Sequence, residues 1–167
     1  MEFTVHEIAA LAVCSRVADV WTTYMGTPTL KMEANSLARR LGSPYALLTI
    51  LAGLLTYVWE PFGIVLLTAS FLVAASNASK IATAKALGED GLAALSRRVI
   101  LATPPWPGLF FLVLPGIFVG VLGVLLELYY EDLEFAHYVG LGMVLYAISM
   151  FVWFPVHYFR VRSSSTI

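Results

Sequence analysis

Long apolar segments, separated by short polar stretches, are the feature that most constrains this chain. They cover residues 4–24, 45–59, 62–79, 106–130 and 138–159. A helix that crosses a bilayer needs about 20 mainly apolar residues, and these segments approach or reach that length. Only Glu60-Pro61 separates the second segment from the third, and proline disfavours a helical conformation at the residue before it. The sequence therefore predicts a single all-α domain, a polytopic bundle of five membrane-spanning helices.

The composition also requires an exterior that faces lipid. Hydrophobic residues make up 59% of the 167 residues and charged residues only 13%, and the mean hydropathy is +0.81. Soluble domains carry about 25% charged residues, so this chain has too few to cover a surface in water. The formal net charge of −1 gives no basic field, and we expect no nucleic-acid partner. Cys14 is the single cysteine, which excludes an intrachain disulfide.

The predicted loops differ in the sign of their charge. With five spans, the first loop, the third loop and the C-terminal tail share one side, and they hold every Lys and Arg except Arg16. The other side holds Glu2, Glu7, Glu60, Glu127, Glu131, Asp132 and Glu134, with no basic residue. Cytoplasmic loops are enriched in Lys and Arg. We therefore expect a multi-pass protein of the cell membrane, inner or plasma, with its N-terminus outside and its C-terminus in the cytoplasm.

The third loop has an apolar and basic pattern of its own. Residues 90–103 combine Leu92, Leu95, Val99 and Ile100 with the pair Arg97-Arg98. This pattern is typical of an interfacial helix that lies on the inner leaflet, and an ordinary connector fits it equally well.

The first segment carries a polar stripe on its cytoplasmic half. At 100° per residue, a third of the helix circumference holds Ser15, Arg16, Asp19, Thr22 and Thr23. A charge inside a membrane helix is costly, so it normally faces the bundle interior and has a partner. One interpretation is a binding site with Asp19 as its anchor and the two threonines as further ligands. The other is an Arg16–Asp19 ion pair, three residues apart on one face, that neutralises itself.

The first loop supplies further polar side chains at the same membrane surface. Glu33 and Asn35 could complete an oxygen-rich shell with Asp19, of the kind that Mg²⁺ or Ca²⁺ prefers. The alternative is a solvated loop in which Asn35 or Ser36 caps a helical turn. On the third segment, Asn77 lies at a similar depth to Asp19, and Lys80 follows on the same side of the helix. We expect them to face the site, or Asn77 to serve only as an interhelical hydrogen-bonding residue.

These residues form a recognisable pattern along the chain. Asp19-Val-Trp-Thr22-Thr23 is followed by Glu33-Ala-Asn35-Ser36-Leu-Ala-Arg39. The pattern resembles the signature of an uncharacterised family of small prokaryotic integral membrane proteins, Asp-x-x-Thr-Thr and then Glu-x-Asn-Pro. The resemblance covers about the first quarter of the chain, and the sequence departs from it at Ser36, where the family has proline. No activity is established for that family, so the resemblance implies a shared polar site and leaves its ligand open.

Three functions are compatible with these residues. The first is a membrane protein with a polar site at the cytoplasmic face that binds a divalent cation. The second is an enzyme that acts on a phosphate-bearing lipid through such an ion, with Arg39, Arg40 or Lys80 holding the phosphate. The third is an accessory subunit, or a homo-oligomer, that docks through Gly116 and Gly120 of the fourth segment; the same glycine pair also fits close helix packing within the bundle. In each case membrane lipids surround the protein.

Overall fold

A computed structural model describes residues 3–30, 36–129 and 134–164 of the chain. In order, the helices are α1 (Val5–Gly26), α2 (Ser36–Leu41), α3 (Ser43–Leu51) with a 3-10 continuation (Ala52–Tyr57), α4 (Glu60–Ala102), α5 (Pro105–Tyr129) and α6 (Glu134–Ser163). Over these ranges the chain is 92% helical and has no strand. The predicted all-α class is confirmed.

Three of these helices, α4, α5 and α6, are long and apolar enough to cross a membrane. The segment Ser43–Tyr57 is a shorter apolar helix, and α1 is the helix that carries Arg16 and Asp19 within its apolar run. Large apolar side chains stand exposed around the bundle, including Phe111, Phe118 and Leu128. Such a surface suits contact with hydrocarbon. The prediction of a helical membrane protein is therefore confirmed, with three candidate spans among the described residues.

Small residues bring the helices close together. The bundle is ordered so that α1 and the 3-10 helix pack on α4, α4 packs on α6, and α6 packs on α5. A Cβ added at Gly63 of α4 would lie 2.6 Å from the side chain of Thr56, and one added at Gly142 of α6 would lie 2.8 Å from the carbonyl oxygen of Val65. Close backbone approach through glycine is the usual packing device of membrane helices. It places α1 and α6 against the same helix, α4.

The glycines of α5 face α6 within the same chain. Gly116 lies against Met150, and Gly120 lies against Ala147. Docking of a partner subunit or a second copy through Gly116 and Gly120 stays a prediction, and it would require α6 to move away from this face.

The long helix α4 changes direction at Gly88. The backbone of Gly88 has a φ of 70°, which a residue with a Cβ rarely adopts, and the helices on either side meet there. The predicted third span and the predicted interfacial helix 90–103 both lie within α4, apart from Thr103 at its end.

Just after Gly88, the carboxylate of Glu89 accepts hydrogen bonds from the backbone N–H and the hydroxyl of Thr29, at 2.9 and 2.8 Å. These bonds tie the loop after α1 to the second half of α4.

Candidate functional site

A cavity of about 370 Å³ lies between α1, α3, α4 and α6. Its polar and charged lining residues are Arg16, Asp19, Thr23, Thr49, Ser76, Asn77, Lys80 and Ser149, and its aromatic ones are Tyr24, Tyr45, Tyr146, Trp153 and Phe154. Small-molecule sites commonly measure about 300–1,000 Å³ and combine apolar walls with a few polar groups. The cavity therefore has the size and the mixed lining of a ligand site.

Asp19 is the acidic residue of the described cavity lining and is 7% exposed. Its Oδ2 lies 2.7 Å from Nη1 of Arg16, and the two side chains are only 11% and 15% exposed. The same Arg16 nitrogen donates to the hydroxyl of Ser70, at 3.2 Å, and that hydroxyl donates to the carbonyl oxygen of Leu66, at 2.6 Å. This contact is the Arg16–Asp19 ion pair that was one of the two interpretations of the polar stripe on α1. Both residues of the pair line the cavity, so the ion pair is itself part of the candidate site.

The two threonines of the stripe have different surroundings. Thr23 lines the cavity, and its Oγ1 accepts a hydrogen bond from the amide nitrogen of Asn77, at 2.9 Å. This bond joins α1 to α4. Thr22 does not line the cavity, and its hydroxyl donates to the carbonyl oxygen of Asp19, at 3.0 Å. A threonine in a helix often bonds its own backbone in this way, and here the bond withdraws the hydroxyl of Thr22 from the site.

Lys80 brings a second positive charge to the cavity. Its Nζ lies 5.6 Å from the ring centroid of Phe154, a distance at which the ammonium interacts with the ring face. Arg39 is exposed on α2 and is not part of the cavity lining. Even so, Arg39, Lys80 and Arg160 all act electrostatically on His157, so these cations gather at the same end of the bundle.

Two of the predicted metal ligands, Glu33 and Asn35, lie outside the described residues. The Asp19–Glu33–Asn35 site for Mg²⁺ or Ca²⁺ therefore stays a prediction. Among the residues that the structure describes, no group of three His, Cys, Asp or Glu side chains is placed to hold a metal ion.

The charge balance of the described lining is positive, with Arg16 and Lys80 against Asp19. Like charges repel strongly in a medium of low dielectric constant. Among the described lining residues, this excess of positive charge suits an anionic group better than a bare dication.

The wall that α6 contributes was not predicted from the sequence. Its lining residues Tyr146, Ser149, Met150 and Trp153 follow the i, i+3, i+4, i+7 spacing of one helix face. That spacing is the feature of the sequence from which this face of α6 could have been found. It identifies a face of α6 but not the helix on which the face packs.

Comparison with known proteins gives no match to a protein family, a curated protein or a solved structure. The family resemblance carried by Asp19, Thr22, Thr23, Glu33 and Asn35 therefore stays a prediction. The function has to be inferred from the cavity itself.

Proposed function

We propose that this chain is a five-span protein of the cell membrane whose cytoplasmic-side cavity binds a small ligand with an anionic group. The observation that carries the proposal is the convergence of Arg16, Asn77 and Lys80 on one cavity of about 370 Å³. The single acid that the described lining contains, Asp19, already pairs with Arg16. The N-terminus lies outside and the C-terminus lies in the cytoplasm.

Two further helices complete the proposed set of five spans. Ser43–Tyr57 is short, but its 3-10 half rises by about 2.0 Å per residue, which gives the segment a length of about 25 Å. That approaches the hydrocarbon thickness of about 30 Å. The polar pair of α1 faces the cavity, so α1 can cross the membrane without exposing a charge to lipid. Exposed tryptophans mark both ends of the bundle, Trp59 at one and Trp21 and Trp106 at the other, as interfacial belts do.

Reporter fusions test this topology. We expect fusions after Arg40, Arg98 and Arg162 to report the cytoplasm, and fusions after Glu60 and Glu134 to report the exterior. The physical reason is the segregation of Lys and Arg to one side of the five-span arrangement. A cytoplasmic signal from the Glu134 fusion would rule out five spans.

Hydrogen-bond donors in the cavity are available to an anion. The guanidinium of Arg16 is not fully satisfied by Asp19 and Ser70, since its buried Nε has no hydrogen-bond partner among the described residues. The hydroxyl of Thr23 accepts from Asn77, which leaves its own proton and the second amide proton of Asn77 for a ligand. Guanidinium and ammonium groups form the stronger, charge-assisted bonds to phosphate or carboxylate oxygens. The donor set therefore suits a phosphate or a carboxylate.

Replacing the lysine of the cavity tests the proposed ligand class. Lys80→Gln should weaken the binding of inorganic phosphate by at least about tenfold, because a hydrogen bond to a charged group contributes about 1.5–3 kcal/mol. Lys85→Gln is the matched control, since Lys85 is an exposed lysine of α4 outside the cavity lining. Titration calorimetry of the detergent-purified protein measures both affinities.

A divalent cation is the competing ligand in the same experiment. If Mg²⁺ or Ca²⁺ binds while phosphate does not, the cavity is a cation site and the proposal is wrong. Equal phosphate affinities for Lys80→Gln and Lys85→Gln would also refute it.

A further inference from the structure

An apolar groove of about 330 Å³ lies beside the polar cavity, between α1 and α3. Its walls are Val17, Val20, Trp21, Tyr24, Met25 and Ile50. Trp21 is 64% exposed and Val17 is also exposed, so this groove lies on the outer surface of the bundle. In a membrane, that surface meets the acyl chains of the lipids.

The groove and the cavity have a common wall. Val20 and Tyr24 of α1 line both of them. A molecule that places a polar head among Arg16, Asn77 and Lys80 can therefore extend an apolar tail past Val20 into the groove. A polar site that continues into a lipid-facing groove is complementary to an amphiphile, which has a polar head and an apolar tail.

The helix α3 forms the other side of the groove and buries little of its surface in the bundle. It contains no buried residue, and Leu47 and Leu48 are both exposed. Its 3-10 continuation is anchored much more firmly, since a Cβ added at Gly53 would lie 2.7 Å from the Cγ2 of Val13. Elements with few buried contacts open at the lowest free energy. The cytoplasmic end of α3 is therefore easier to displace from α1 than its 3-10 end.

We propose that the anionic ligand is a phosphate-bearing membrane lipid that enters sideways between α1 and α3. Its phosphate lies against Arg16 and Lys80, and one acyl chain lies in the groove beside Ile50. This inference rests on the proposed function, because it names the ligand class of the same cavity. An acyl chain that moves from the bilayer into an apolar groove changes its surroundings little. The headgroup contacts therefore supply the affinity, but a lipid can make them only while the groove is open to hold its acyl chain.

The experiment compares two probes, phosphatidic acid and inorganic phosphate, on the full chain in maltoside micelles free of phospholipid. Ile50→Trp fills the groove, and Leu48→Trp is the matched control, since Leu48 is an exposed residue of α3 outside both linings. We expect Ile50→Trp to weaken phosphatidic acid binding by about tenfold, a loss of about 1.4 kcal/mol, and to leave phosphate binding unchanged. Leu48→Trp should change neither affinity. Unchanged phosphate binding also shows that the Ile50→Trp variant is folded.

The outcomes separate this inference from the proposed function. If phosphate binds but phosphatidic acid does not compete with it, or if Ile50→Trp binds phosphatidic acid as the wild type does, then the ligand is a free anion and only the lipid inference is wrong. If neither probe binds, the proposed function fails as well. Competition between the two probes, with loss of lipid affinity alone in Ile50→Trp, supports both.

Discussion

Asp19→Asn is expected to destabilise the protein by about 3–5 kcal/mol, the usual cost of removing one partner from a buried ion pair. The carboxylate of Asp19 lies 2.7 Å from the guanidinium of Arg16, and both side chains are largely buried. Without the carboxylate, Arg16 keeps its charge in a bundle of low dielectric constant, and among the described residues the hydroxyl of Ser70 is its remaining hydrogen-bond partner. A stranded intramembrane charge is costly by itself.

A double-mutant cycle separates this pairing energy from other effects of the substitution. Arg16→Gln combined with Asp19→Asn should recover most of the lost stability, because removing both partners of a buried pair is often tolerated. Thermal denaturation in detergent measures the four proteins of the cycle. Glu134→Gln is the control for loss of an exposed acid, since Glu134 lies at the exposed start of α6. A double variant no more stable than Asp19→Asn alone would show that the two charges do not compensate each other.

Gly140→Ala is expected to produce the second large loss of stability. A Cβ at Gly140 would lie 2.6 Å from the carbonyl oxygen of Gly123 and 3.2 Å from the backbone nitrogen of Glu127. The reciprocal Cβ at Gly123 would lie 2.7 Å from the carbonyl oxygen of Gly140. Both neighbours are backbone atoms, so no side-chain rotation relieves the clash and α5 must move away from α6. Overpacking of this kind costs about 1–3 kcal/mol.

Gly26→Ala is the matched control for this substitution. Gly26 ends α1, and a Cβ added there would have no neighbour within 4 Å. Alanine is also the better helix former, by about 1 kcal/mol within a helix. We therefore expect Gly26→Ala to unfold at or above the wild-type temperature and Gly140→Ala well below it. Equal unfolding temperatures for Gly140→Ala and the wild type would contradict the close α5–α6 contact.

The helical class follows from hydropathy, but the helix ends do not. Apolar runs reveal the parts of helices that lipid can surround, and they end where polar residues begin. The helix α4 runs past Lys80 and Lys85 to Gly88, because the alanines and the leucine of this stretch favour helix although the two lysines interrupt the apolar run. The 3-10 form of Ala52–Tyr57 was not predictable, since an apolar run does not distinguish the two kinds of helix. There, packing of Gly53 against Val13 accompanies the tighter winding.

Five of the eight polar and charged residues in the described lining were predictable from helical periodicity, depth in the membrane and the cost of intramembrane charge. Periodicity and the cost of charge identified Arg16, Asp19 and Thr23 on one face of α1, and depth and helix side added Asn77 and Lys80. Periodicity could not separate Thr22 from Thr23, because the choice depends on whether a hydroxyl bonds its own backbone or another helix. The contribution of α6 depends on which helices pack together, and a single sequence does not contain that information.

An experimental density map of the protein in phospholipid nanodiscs tests the central claim most directly. We expect density for a phosphate within hydrogen-bonding distance of Arg16 and Lys80, continuous with an acyl chain that passes Ile50 between α1 and α3. A single metal ion held by Asp19 together with Glu33 or Asn35, with no lipid in the cavity, would contradict it.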